Sequence, residues 1–287
     1  MRLEDLETSL ADDLSWRKFE LSSLITIAET SKQQNGVDSD LHKTTLKALY
    51  LLLYSHWEGF VKKSCKFYLQ YINNKKIVTK ELTHIFTALA LKKSITSCYT
   101  KENLDSLSIS TYLEFVNLHA TKLSQKFKVD VKTNTDFDDD FIKTFSNLSS
   151  KNYRNLLESI DLPFFSFFSA NEHYQEVINP DGTKQNVTIL SEILDFSLLY
   201  YRHSIAHSGA TSETLNIEAY QDLQGKILYL MDLLVANISD FCHKEFYKSC
   251  NSLQKTAYIN EKNIEVKEAL LRFYRSSANL DEEFLED

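Results

Sequence analysis

Glycine and proline are nearly missing: the 287-residue chain holds five of the first and two of the second. That scarcity excludes a fold built on tight turns and points to a chain made mostly of helices. Cysteine is sparse as well. Cys65, Cys98, Cys242 and Cys250 form no CxxC pair and none stands near a histidine at finger spacing, so the thiols read as buried groups of a reducing compartment. No uninterrupted apolar run approaches the ~18 residues that would span a bilayer. The opening MRLEDLETSLADD is acidic and amphipathic, without the basic head and apolar core of a signal peptide. The expectation from these absences is a cytoplasmic protein with no membrane partner.

What is present is ordinary globular material. Hydrophobic residues make up 43% and charged residues 25%, and the length suffices to bury a core without metal or disulfide staples. The net charge of −8 argues against a general nucleic-acid coat, which needs a basic surface. The charge is unevenly spread. Between Asp38 and Glu102 eleven lysines face five acids, while DFDDDF and the terminal DEEFLED are strongly acidic. The lysines read as solvated helix faces.

Apolar spacing predicts a first helix over about the first thirty residues, with NGVDSD closing it and capping the next. A long second helix from Asp40 to Asn73 carries Leu46, Leu49, Tyr50, Leu53, Trp57, Phe60, Val61, Cys65 and Tyr68 on one broad stripe, as the spine of a bundle would. Helical patterns follow at 80–96, 109–127 and 137–160. The run YQEVINPDGTKQNVTI sets a turn between two β-prone segments and predicts one small hairpin. Helix 189–208, stopped by Gly209, pairs with another opening near Thr214, and a last helix spans 261–276. The fold class is therefore all-α, a single helical domain over 1–287. Residues 1–38 form an N-terminal extension, 39–250 a core with an insertion at about 80–188, and 251–287 a helix with an acidic tail.

The chemistry concentrates in YYRHSIAHSGA, where Arg202, His203 and His207 crowd a helix end. Arg202 and His207 are five apart, which turns them about 140° from each other on a regular helix. That suits a site at an edge, completed when two copies of the helix meet near a two-fold axis. A histidine can take a proton from a ribose 2′-OH or give one to a leaving oxygen, and an arginine can hold the phosphate. Only RNA brings that 2′-OH nucleophile. Two plainer readings stand beside this: basic residues complementing the helix dipole, and a zinc pair at His203 and His207. The zinc-protease pattern needs a glutamate after the first histidine, where this chain has Ser204.

RHSIAH resembles the ribonuclease motif of the HEPN superfamily, and the upstream LLLYSHWEGFVKKSCKFYLQYI is similar to the first core helix of its RiboL-PSP branch, with Trp57-Glu58-Gly59 followed by basic and aromatic residues. The resemblance covers about 40–75 and 188–245. It implies a helical bundle that dimerises with its motifs facing, cuts RNA without metal or cofactor, and leaves a 2′,3′-cyclic phosphate. It also implies a toxin or effector of a bacterial antiphage or toxin-antitoxin system, held in check by a regulatory companion protein. Carried over, Arg202 binds phosphate, His207 is the general acid or base, and His203 takes the supporting polar position, where Asn or Asp is commoner in the family. Glu58 orients His207 or Arg202, or else pairs on the helix surface, while His56 and Trp57 read as core or rim. Tyr201 and PFFSFFS read as packing. The alternative is a non-catalytic HEPN-like subunit that holds a nucleotide or a partner protein.

Overall fold

Leu6, Leu10, Leu14, Leu21 and Ala28 recur at helical spacing, and they are the buried apolar residues of α1 (Leu3–Asn35). The computed structural model describes residues 1–99, 109–145, 147–165, 168, 174–178, 184–208 and 215–283. Gly36 ends α1 at φ +82°, a left-handed conformation that suits glycine, and its N–H closes on the carbonyl of Lys32 at 3.0 Å. Ser39 then caps α2 (Asp40–Lys75), its hydroxyl accepting the N–H of His42 at 3.2 Å.

The spine is α2. Leu53, Trp57, Phe60, Val61, Cys65 and Leu69 are buried along it, and it packs on α1 and on α8 (Ile217–His243), itself opened by Asn216 accepting from Ala219 N–H at 2.6 Å. Around this layer lie α3 (His84–Tyr99), α4 (Ile109–Ser124), α5 (Ser150–Ser159) and α9 (Ser252–Glu283). The expected hairpin is β1 (Tyr174–Ile178) paired antiparallel with β2 (Lys184–Thr188), in register from Tyr174 opposite Thr188 to Ile178 opposite Lys184. Its NPDG turn and Gly209 lie outside the described residues. The architecture is all-α, with this one hairpin among the described residues. No helix among the described residues is long and apolar enough to cross a membrane.

After β2 the chain enters α6 (Ile189–Ser191), widens into a π-helix over Glu192–Leu199, and narrows into α7 (Tyr200–Ser208). A regular helix was expected across 189–208. The π turns take one residue more than α turns and so rotate α7 relative to the apolar stripe of Leu190, Ile193 and Leu194.

The helix expected over 137–160 forms only at Ser150–Ser159. Upstream, side chains take over the backbone donors a helix would use. Asp139 accepts from the N–H groups of Phe141 and Ile142 at 2.9 and 2.8 Å, Asp138 from that of Thr144 at 3.2 Å, and Phe145 turns left-handed at φ 58°.

The acidic loop also corrects the reading of the lysines. Asp138 pairs with Lys62 at 2.8 Å and Asp140 with Lys93 at 3.1 Å. Lys66, fully buried, donates to the carbonyls of Thr135 at 3.0 Å and Phe137 at 2.5 Å. Lys62 and Lys66 are thus consumed internally, whereas Lys75, Lys76, Lys80 and Lys93 stay on solvated faces as expected. Of the thiols, Cys65 and Cys242 are buried and burial pushes both up, whereas Cys250 is exposed.

Candidate active site

Two helices and the loop before α5 bring the side chains together. Arg202 on α7 is half-buried, its guanidinium 5.3 Å from the centre of the Tyr54 ring on α2 and its Nη1 3.4 Å from Nδ1 of His203. The aromatic face holds the cation in place without consuming its donors. Tyr54 is buried, and its hydroxyl accepts the N–H of Leu148 at 3.0 Å. Burial pushes the phenol up, the neighbouring Glu58 carboxylate adds to that, and Leu148 and Arg202 pull the other way without prevailing, so Tyr54 stays neutral.

Glu58 stands one turn beyond Tyr54 on α2. Its Oε1 accepts from Thr144 Oγ1 at 2.5 Å and from Lys62 Nζ at 3.0 Å. Burial lowers Lys62, but Asp138 and Glu58 outweigh it and hold the ammonium above its ordinary value. Glu58 is thus tied to Lys62 and Thr144, and Tyr54 is the side chain that neighbours both it and Arg202.

His203 is gripped at both ring nitrogens, with Arg202 Nη1 at Nδ1 and the side-chain amide of Asn147 3.3 Å from Nε2. An arginine only donates, so Nδ1 must accept and the neutral ring carries its proton on Nε2. That N–H needs an acceptor; the Asn147 atom at 3.3 Å is Nδ2, and turning the amide over puts Oδ1 there to accept it. The assignment also gives a partner to Asn147 Oδ1, otherwise buried without one. Asn147 is itself fixed, its carbonyl accepting from Asn152 Nδ2 at 2.7 Å. His207 lies on α7 four residues after His203, on the same helical face, with its side chain outside the described part.

A second network anchors the far end of the same loop. Arg17 on α1, 2% exposed, pairs with Asp13 at 2.9 Å and Asp136 at 3.0 Å, and its Nη1 lies 3.3 Å from the carbonyl of His56 and 3.4 Å from His56 Nδ1. Burial raises Asp13, but Lys63, Arg17 and Trp16 outweigh it and hold the carboxyl below its usual value. His56 is pushed down by burial and by Arg17, against the opposing pull of Glu20, 3.1 Å from Nε2.

The structure thus brings Arg202, His203 and Glu58 into one neighbourhood, and adds Tyr54, Lys62, Thr144 and Asn147, which the sequence reading did not single out. Tyr54 had a signal, four residues before Glu58; Asn147 had none, since its partner lies 56 positions away. Trp57 is core, fully buried against Tyr153, and His56 is buried rather than at a rim. Tyr201 packs on Tyr50 at 4.5 Å, and Phe165 and Phe168 are buried, as packing residues.

A family model described as HEPN_MAE_28990-like HEPN matches residues 6–247, from within α1 to just before α9. No curated protein and no solved structure matches the chain.

Proposed function

The chain belongs to the HEPN_MAE_28990-like HEPN family, and from that premise we propose that it is a metal-independent endoribonuclease acting at a site shared by two copies. Arg202 holds the scissile phosphate and stabilises charge on its oxygens. His207 moves the proton of the 2′-OH or of the leaving 5′ oxygen. His203 supports Arg202 through Nδ1 and is not the proton carrier. Glu58 positions the loop through Thr144. The likeness of Trp57-Glu58-Gly59 to the RiboL-PSP branch supports the same assignment, and the proposal extends to a toxin or effector role with a companion protein as restraint.

One observation carries this reading. The Arg202 guanidinium is stacked on Tyr54 at a half-exposed helix end, one turn or so before His207, with no carboxylate partner among the described residues. Purified protein incubated with RNA in EDTA should yield fragments ending in 2′,3′-cyclic phosphate. Arg202→Ala and His207→Ala should each lose about 10²-fold or more while remaining folded. Cleavage that requires added divalent metal would overturn the mechanism.

The net charge of −8 favours a second reading, a non-catalytic HEPN-like subunit holding a nucleotide or partner. Growth of cells expressing wild type or His207→Ala separates the two, because only a nuclease makes toxicity depend on that imidazole.

A further inference from the structure

The acidic loop consumes the lysines around the middle of α2, and a different set remains. Past the end of α2 the chain turns through Lys76, and residues 77–79 pair with 125–127: Phe127 N–H donates to the Ile77 carbonyl at 2.8 Å and Thr79 N–H to that of Gln125 at 2.9 Å. From there burial alternates strictly, the pattern of an extended chain. Phe127 and Val129 are 1% and 5% exposed, while Lys126, Lys128 and Asp130 face outward. Together with Gln70, Asn73, Asn74 and Lys76 this segment lines a groove of about 580 Å³. Lys76, Lys126 and Lys128 have no ion-pair partner among the described residues, in contrast to Lys62, Lys63, Lys66 and Lys93.

We propose that this groove holds successive backbone phosphates of single-stranded RNA, as an exosite remote from Arg202. The inference rests on the nuclease reading for its choice of polyanion. Alternation puts Lys126 and Lys128 on one face about 6.6 Å apart, close to the interval between neighbouring phosphates of an extended strand. Two cations one phosphate interval apart suit a backbone better than the irregular acids of a protein surface. Helix dipoles at the ends of α2 and α4 account for a lysine at Lys76 or Lys126; they do not account for Lys128 in register with Lys126. Asp130, next in the row, ends the run. The groove begins at Gln70, about 18 Å from Glu58 along α2, so only a strand of several nucleotides reaches both places.

The test uses the full chain with His207→Ala to silence cleavage, and a fluorescent 20-nucleotide oligouridylate as probe. Removing three phosphate contacts through Lys76→Gln, Lys126→Gln and Lys128→Gln should lower the slope of log affinity against log salt by about 2. Asp130→Lys should steepen it and tighten binding. With His207 restored, the triple variant should raise KM for the 20-mer severalfold and leave cleavage of a trinucleotide unchanged. An unaltered salt slope, no gain from Asp130→Lys, or no RNA binding by the parent protein overturns the exosite; so does binding of an acidic protein, and not RNA, that depends on these lysines. RNA binding through the groove without cleavage by wild type overturns the nuclease reading instead and leaves the groove standing.

Discussion

Gly59 and Arg17 are packed so closely that a Cβ on Gly59 would stand 3.1 Å from Nη1 of the guanidinium and 2.9 Å from the Asp136 carboxylate paired with it. The glycine of the Trp-Glu-Gly run is therefore there for a neighbour, not for the backbone. It lets a buried arginine of α1 reach across α2 to the loop that ends at Asn147.

Arg17→Ala leaves Asp13, 3% exposed, with one cation fewer and frees Asp136. Loss of a partner from a buried pair should cost about 3 kcal/mol, read as a lowered midpoint in urea. Gly59→Ala should differ: helix propensity gains about 1 kcal/mol while the half-exposed Asp136 swings away. Its urea midpoint should move little, yet amide exchange across 136–148 should quicken. An unfolded Gly59→Ala protein would contradict this arrangement.

Asn147→Ala should remove the acceptor for His203 Nε2–H and let the ring sample both tautomers. Nitrogen-15 chemical shifts of that imidazole report the change directly, independent of activity. Cleavage should fall about tenfold, since Arg202 loses a fixed partner. Asn147→Asp should keep the tautomer and stabilise the protonated ring, which moves the acid limb of the pH profile upward.

His56 gives the fold a pH dependence. Because burial and Arg17 lower its folded-state value below 6.5, the unfolded chain binds the proton more readily. Stability from this group is present above about pH 6.5 and lost as pH falls through the lower folded value. The groups around it are Arg17, Asp13, Glu20 and Trp16. A urea midpoint measured between pH 7 and 5 should drop in the wild type and less so in His56→Gln.

Glu58→Gln retains an acceptor for Thr144 Oγ1 and should keep most cleavage, whereas Glu58→Ala should lose about tenfold by loosening the loop. If instead both variants are equally inactive and the pH profile loses a limb, Glu58 takes part in proton transfer and its role as a positioning residue is wrong.

The helical class, the Gly36 stop and the Ser39 cap were legible because each depends on residues within a turn of one another. So was the crowding of Arg202 and His203, which the local motif carries alone. The loop 137–149 misled because Phe137, Phe141, Ile142 and Phe145 mimic helical spacing. What overrules them is Asp138 and Asp139 binding backbone N–H groups and neighbouring lysines, a choice made by tertiary contacts. The role of Asn147 was hidden for a related reason, since its partner His203 lies 56 residues away; Tyr54 stands one turn from Glu58, a local signal, but its contact with Leu148, 94 residues away, leaves no trace in any periodicity.

The wide coil at Glu192–Leu199 makes the aim of the guanidinium a matter of residue count. Deleting one residue there without touching Arg202 would swing everything downstream by about a quarter turn, turning a cation now parked on an aromatic ring toward empty solvent or into apolar neighbours. Chains of this kind can thus retain every chemical group of the motif and still be silenced, or retuned, by a single codon upstream.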